Sequence, residues 1–320
     1  MKNILVTGAA GQIGTELVTA LRQHYGKDAV VIATGRRTQL PAYIKNSGPF
    51  CYLNVMDRNQ LEETAFENNV DTIYHMASIL SAVGEQKPQL AWDINMNGLY
   101  NVLEVARTYD ISVMWPSSIA VFGPDTPKVN TPNDTILRPT TIYGVTKVAG
   151  ELLANYYYHK YGVDVRSVRY PGIISSETPP GGGTTDYAVA IYYDAVQQGS
   201  YTCFVREDTV LPMMYMPDAI KGLIDLAEAD NAKLKHRIFN IGSMSFSVGT
   251  LAQSIKEIIP DFTIDYKPDF RQAIADSWPQ SVDDSVARAE WNWDPEYDLA
   301  KMTKDMIEKL REKFTKDTGF

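Results

Sequence analysis

The opening of the chain constrains its fold more than any other feature. A short apolar run, Ile4 to Val6, leads directly into Gly8-Ala9-Ala10-Gly11-Gln12-Ile13-Gly14. A segment with helically spaced apolar residues follows (Leu17, Val18, Leu21 and Tyr25). An apolar run that ends in glycines reads as a buried parallel strand. Strand, glycine-rich turn and helix in this order form the first unit of a dinucleotide-binding domain. The spacing is G-x-x-G-x-x-G rather than G-x-G-x-x-G, but the physics is shared. Gly8 permits the tight turn, Gly11 lets the backbone approach a pyrophosphate, and Gly14 lets the helix lie close to the strand. The helix N-terminus adds free N–H groups and a positive dipole end. Gly8, Gly11, Gln12, Ile13 and Gly14 are therefore the expected dinucleotide contacts.

The alternation continues. Strand signals fall at Ala29–Thr34, Thr72–Met76, Ser112–Trp115 and Val165–Tyr170, with helical spacing at Leu61–Asn68, Ala91–Tyr109 and Tyr143–Tyr161. Strands alternating with helices predict a parallel sheet with right-handed crossovers, hence a doubly wound α/β Rossmann domain. After Pro171 the character changes. A breaker cluster, Pro179-Pro180-Gly181-Gly182-Gly183, precedes a mixed run of helices and strands. The expected division is a dinucleotide-binding domain over 1–172, completed by return segments near 206–245. A smaller mixed α/β substrate lobe is expected over 173–320, packed on the sheet domain to close a cleft.

Composition removes other classes. A net charge of −9 over 320 residues repels phosphate backbones, so a nucleic-acid partner is not expected. No apolar run is long enough to span a membrane. The two cysteines, Cys51 and Cys203, make no disulfide framework, and the four scattered histidines have no metal-ligand spacing. No metal is expected. Without a basic leader and apolar core at the start, a cytoplasmic protein is expected.

Tyr143-Gly144-Val145-Thr146-Lys147 places a phenol and an ammonium one helical turn apart. An ammonium beside a phenol favours the tyrosinate, which a tyrosine needs to act as a base at neutral pH. Tyr156–Lys160 and Tyr297–Lys301 share the spacing. Only Tyr143 begins a helix with a serine, Ser118, upstream and just beyond a parallel strand. Ligands bind outside the carboxyl ends of such strands. Ser118, Tyr143 and Lys147 are thus the candidate catalytic set. The carboxylate usual at the end of the second strand, which would hold the ribose hydroxyls, is missing: the segment reads Ala33-Thr34-Gly35-Arg36-Arg37. Arg36 and Arg37 would suit a 2′-phosphate, so NADP stays open beside NAD.

The glycine turn, Ser118 and the Tyr143–Lys147 pair resemble the extended short-chain dehydrogenase/reductase superfamily, which includes nucleotide-sugar epimerases and dehydratases. Within it the chain resembles the short-chain type of L-threonine 3-dehydrogenases. The similarity is carried by Tyr170-Pro171-Gly172-Ile173-Ile174-Ser175, by 180–187 (Pro-Gly-Gly-Gly-Thr-Thr-Asp-Tyr), by 211–218 (Leu-Pro-Met-Met-Tyr-Met-Pro-Asp) and by Ile274-Ala275-Asp276-Ser277-Trp278-Pro279. The resemblance implies oxidation of L-threonine at C3 to 2-amino-3-oxobutyrate with NAD. It implies Asn54 and Val55 beside the adenine, Asn95 behind the cofactor, and Pro171 and Ile173 beside the nicotinamide. It favours Ser81 and Thr185 as substrate contacts. Thr184 and Thr185 follow the glycine run, which would suit a mobile lid over the substrate carboxylate.

Two other functions remain. One is a nucleotide-sugar 4-epimerase, for which Arg166 and Arg169 would be basic candidates. Dehydration lacks support because Ile119 and Ala120, not carboxylates, follow Ser118. The other is a non-catalytic dinucleotide-sensing protein, which would not need the serine, tyrosine and lysine. In the extended superfamily, helices equivalent to Ala91–Tyr109 and Tyr143–Tyr161 pair across a two-fold axis, so a homodimer is expected, with Tyr156–Tyr158 near the contact.

Overall fold

The computed structural model describes residues 2–36, 40–181 and 183–317. Arg37 and Gly182, both named above, lie outside the described residues. The chain divides into two compact units: Met1–Val121, Thr141–Arg169 and Ile220–Phe239 form the first, and Phe122–Thr140, Tyr170–Ala219 and Asn240–Phe320 the second.

The first unit is built on a sheet of β1 (Lys2–Thr7), β2 (Ala29–Gly35), β3 (Phe50–Tyr52), β4 (Thr72–His75), β5 (Ser112–Met114), β6 (Ser117–Ser118), β7 (Val165–Tyr170) and the strand Ile238–Asn240. The order is β3-β2-β1-β4-β5-β7 and then Ile238–Asn240, with β6 paired to β7. The pairs among β1–β5 and between β5 and β7 are parallel. This is the expected doubly wound Rossmann architecture. β1 pairs with β2 on one side and β4 on the other, so the strand order reverses at its edge. The crevice beyond the carboxyl ends of β1 and β4 is thus the topological switch point.

The strands read as apolar runs because both sheet faces are covered. Leu5, Ile32, Ile73 and Val113 pack with Leu99, Val102 and Leu103 in one cluster, with Trp115 and Tyr157 also in it. Two departures from the sequence expectation lie here. The short edge strand β3 was not foreseen, because Phe50-Cys51-Tyr52 lacks a recognisable run of its own. The expected helix Ala91–Tyr109 starts earlier, at Pro88, and is broken by a π-turn over Asp93–Asn97 before Gly98–Tyr109. A π-turn adds a residue to one turn and resets which face the next side chains occupy. Apolar periodicity shows no trace of it.

The helix Ile142–Tyr161 begins where Thr141 accepts from the N–H of Gly144 at 3.1 Å, and ends at Gly162 in the left-handed conformation. A Cβ at Gly150 would stand 2.5 Å from the Trp115 ring, so this glycine lets the helix settle against the end of β5.

The second unit has two small sheets among its described residues. Val210–Tyr215 pairs antiparallel with Met244–Ser247 and parallel with Gly172–Ile174. Thr263–Tyr266 pairs parallel with Ser200–Cys203. Buried Asp218 accepts from the N–H groups of Glu296 and Tyr297 at 2.8 and 3.1 Å, which ties down the segment before the last helix, Leu299–Asp317.

Candidate active site

The glycine turn is shaped by contacts that exclude side chains. Gly8 has φ +68°, and a Cβ there would lie 2.6 Å from the backbone nitrogen of Ala77. A Cβ at Gly14 would lie 2.3 Å from the carbonyl oxygen of Gly8. The helix Gln12–Tyr25 is capped by Gly11 with no side chain on its first N–H groups and no acidic residue in its first turn. Gln12 and Ile13 sit half-buried in that turn. Such an end attracts an anion.

A cavity of about 320 Å³ opens over this turn. Gly8, Ala10, Gly11, Gly35, Arg36, Leu53, Asn54, Val55, Met76, Ala77, Ser78, Ile79 and Ile94 line it. It thus gathers the expected contacts Gly8, Gly11, Arg36, Asn54 and Val55 from beyond the ends of β1, β2 and β3, while Gln12, Ile13 and Gly14 do not line it. Asn54 Oδ1 closes its own turn by accepting from the N–H of Met56 at 3.2 Å. The Val55 carbonyl accepts from Asn101 Nδ2 at 3.0 Å. A backbone cradle without side chains, an uncapped helix end and a cleft at the switch point fit a dinucleotide.

Asn95 stands apart from the cavity lining. It is buried in the π-turn, where its Oδ1 accepts from the Ile79 N–H at 2.8 Å and the Ser78 hydroxyl at 3.1 Å. Its Nδ2 donates to the Ile79 carbonyl and to Thr146 Oγ1, both at 3.1 Å. The amide holds the cavity wall rather than facing into the cavity.

The second cluster in this unit joins Ser118, Tyr143 and Lys147. Burial pushes the Tyr143 pKa up to about 12, and the neighbouring Ser118 hydroxyl opposes that rise. Ser118 Oγ also accepts from the Ala120 N–H at 3.2 Å. Lys147 Nζ donates to the Pro116 carbonyl at 2.7 Å and lies 4.6 Å from the centre of the Trp115 ring. Burial draws its pKa down to about 7, opposed by the charge of Glu151. The expectation that Lys147 lowers the pKa of Tyr143 is corrected here. Burial dominates both groups in the free chain, and Lys147 stands 5.5 Å from the centre of the Tyr143 ring, bonded elsewhere. Beneath them His75 is buried at the end of β4, its Nδ1 2.8 Å from Thr7 Oγ1 and its Nε2 without a partner. Desolvation, and secondarily the charge of Lys147, hold its pKa near about 3.

Ser81, expected as a substrate contact, is buried in the first turn of a helix, Ser81–Gln86. That helix docks on the start of Ile142–Tyr161: Glu85 accepts from the Ile142 N–H at 2.7 Å. In the second unit, a Cβ at Gly172 would lie 2.9 Å from Thr185 Cβ, so Thr185 packs against the strand between Pro171 and Ile173. Thr184 beside it is buried. Asp186 Oδ2 accepts from the N–H groups of Gly181 and Gly183 at 2.7 and 2.8 Å. The residues that sequence reasoning passed over are His75, Ser117, Thr146, Glu151 and Asp186. Only Glu151 carried a signal, standing one helical turn beyond Lys147.

Residues 4–242 match the NAD dependent epimerase/dehydratase family. The chain belongs to that family. Membership implies a nicotinamide dinucleotide. An uncharacterized epimerase/dehydratase of Staphylococcus aureus (strain USA300) is 53% identical over 317 residues, 98% of either chain. The structure of L-threonine dehydrogenase from Clostridium difficile is similar at 56% identity and TM-score 0.95, covering 98% of each chain. A monomeric L-threonine 3-dehydrogenase from a metagenome matches at 48% identity and TM-score 0.92, over 97% of this chain and 99% of that one.

Proposed function

We propose that the protein oxidises L-threonine at C3 to 2-amino-3-oxobutyrate, with NAD as acceptor. The observation that carries this reading is the similarity, over nearly the whole of both chains, to the L-threonine dehydrogenase of Clostridium difficile. The site geometry suits that chemistry. Ser118 and Tyr143 offer two neighbouring hydroxyls that can hold one alcohol oxygen. The C3 hydroxyl gives its proton to the Tyr143 oxygen, the C3–H bond breaks with loss of a hydride, and a C=O bond forms. Bound in its oxidised form, the nicotinamide supplies the hydride acceptor and a positive charge. Ser118 holds and orients the reacting oxygen. A phenol near pKa 12 needs added positive charge nearby to act as a base at neutral pH, and the oxidised nicotinamide would bring it when bound. Thr185, Thr184 and Ser81 are proposed for the carboxylate and ammonium of the amino acid. Gly8, Gly11, Gln12, Ile13, Gly14, Arg36, Asn54 and Val55 would hold the dinucleotide, with Pro171 and Ile173 beside its reactive end.

The nucleotide-sugar reading loses its basic pair. Arg166 is buried against Asp164 and the carbonyls of Leu226 and Ala229, and Arg169 against Glu151. A homodimer is proposed through Gly98–Tyr109 and Ile142–Tyr161, where Tyr100, Leu152 and Tyr156 are exposed while Tyr157 is buried on Glu104. Light scattering at micromolar concentration tests it, and a monomer mass overturns it.

The functional test is reduced-nicotinamide absorbance with L-threonine, using NAD and NADP side by side. The expected result is reduction with NAD, lowered by about 10²–10⁴-fold in Tyr143→Phe while dinucleotide binding persists. Reduction with NADP alone would overturn the choice of NAD and give Arg36 a phosphate to hold. Dinucleotide binding without threonine-dependent reduction would overturn the reading and favour an epimerase or a sensor.

A further inference from the structure

Glu151 lies one turn beyond Lys147 and is 2% exposed. Its Oε1 accepts from the Ser117 hydroxyl at 2.5 Å and from Arg169 Nε at 2.8 Å. Its Oε2 accepts from Arg169 Nη2 at 2.8 Å. Ser117 is 2% and Arg169 5% exposed. One carboxylate therefore ties together the strand end that carries Ser118, the helix that carries Tyr143 and Lys147, and the end of β7. A buried ion pair is a poor stabiliser for its own sake, because desolvation offsets the attraction. The placement of this pair, beside Ser117 and Lys147, calls for another reason.

We propose that Glu151 is a positioning residue of the site, fixing the Ser118 strand end through Ser117 and serving as the buried counter-charge that keeps Lys147 an ammonium. This rests on the site reading for Ser118, Tyr143 and Lys147, and not on threonine as the substrate.

The surroundings of Lys147 leave this task to Glu151. On its own helix Lys147 faces Tyr143 and Glu151; from β4 it faces His75, and from the end of β5 the Trp115 ring and the Pro116 carbonyl. Arg169, from β7, meets Glu151 on its bidentate edge. Of these groups only Glu151 is an anion. In the ligand-free chain burial keeps His75 and Tyr143 uncharged near neutral pH. Burial drives the proton off Lys147, and Glu151 acts against that loss.

The test is an NMR titration of the full chain carrying ¹³C-labelled lysine, with Lys147→Arg assigning the resonance. In Glu151→Gln the Lys147 midpoint is expected to fall by about one pH unit or more, the size of shift an opposite charge at close range produces. Glu151→Leu/Arg169→Met replaces the ion pair with apolar groups of similar size, a change that buried pairs commonly tolerate, and a smaller fall is expected there because a cation leaves with the anion. The alkaline limb of the pH–rate profile should move to lower pH with the midpoint. Ser117→Ala cuts the strand tether alone, so kcat falls while the Lys147 midpoint stays. An unmoved midpoint in either folded Glu151 variant overturns the proposal, as does a Ser117→Ala enzyme with unchanged kcat. If the parent protein shows no threonine-dependent reduction, the substrate reading fails, and the lysine titration still decides the role of Glu151.

Discussion

Asn95 Nδ2 donates to Thr146 Oγ1 at 3.1 Å, and that hydroxyl donates in turn to the Tyr143 carbonyl at 2.8 Å. The same amide holds both backbone polar groups of Ile79. The dinucleotide cleft wall and the helix with the reactive phenol are thus fastened by a single side chain. The π-turn over Asp93–Asn97 places it there. Such turns are found disproportionately at functional sites, because they aim one side chain off the regular helical face.

Asn95→Leu is expected to strand the Ile79 amide group and to leave Thr146 short of a donor. Each buried polar group left unsatisfied costs about 1–3 kcal/mol. Urea unfolding should show a loss of that order. Because Ile79 lines the cleft, dinucleotide affinity measured by fluorescence titration should fall as well. A stability loss with unchanged affinity would mean that the clamp serves folding alone.

Gly14→Ala pushes a methyl group to 2.3 Å from the Gly8 carbonyl oxygen and 3.0 Å from Ala9 Cα, both backbone atoms. The helix must back away from the strand, at a cost of about 1–3 kcal/mol from overpacking. Dinucleotide affinity by calorimetry should drop at least tenfold, on the order of 1.4 kcal/mol. Gly181→Ala, with nothing within 4 Å of its Cβ and no positive φ, serves as the control and should bind as the parent does. Equal affinities for the two variants would show that the turn does not cradle the ligand.

The pH dependence of stability has a sign set by His75. Its folded pKa near about 3 lies below the ordinary histidine value, because burial disfavours the imidazolium. Between roughly pH 6.5 and 3 the unfolded chain binds a proton that the folded chain refuses. Its contribution is full above that window and is lost as pH falls through it, by at most about 1.4 kcal/mol per pH unit. His75→Phe removes the proton uptake. Urea midpoints from pH 7 down to pH 4 should decline less steeply in the variant. Parallel declines would show that His75 is not the group responsible.

Much of the first unit was legible before any coordinates. The parallel strands at Lys2–Thr7, Ala29–Gly35, Thr72–His75 and Val165–Tyr170 are apolar runs with clear ends, and the helix Ile142–Tyr161 fell within one residue of its expected start. The three-residue strands Phe50–Tyr52 and Gly172–Ile174 were not legible, because a few residues next to a partner strand need no periodicity of their own. The helix at Ser81–Gln86 was missed for the related reason that one and a half turns leave no pattern.

At the site, residue type and spacing alone determined the glycine turn and the Tyr143–Lys147 pair. These motifs are local: a strand end, a turn or one helical turn places their members side by side. Only the tertiary structure decided the charge states. Burial raises the Tyr143 phenol and lowers the Lys147 ammonium, reversing the simple pairwise expectation. It also decided the partners of Glu151, since Ser117 and Arg169 stand 34 and 18 residues away along the chain. The physical reason is range. Backbone geometry is set by near neighbours, whereas desolvation and Coulomb forces in a low-dielectric interior depend on whatever the fold brings within a few ångströms.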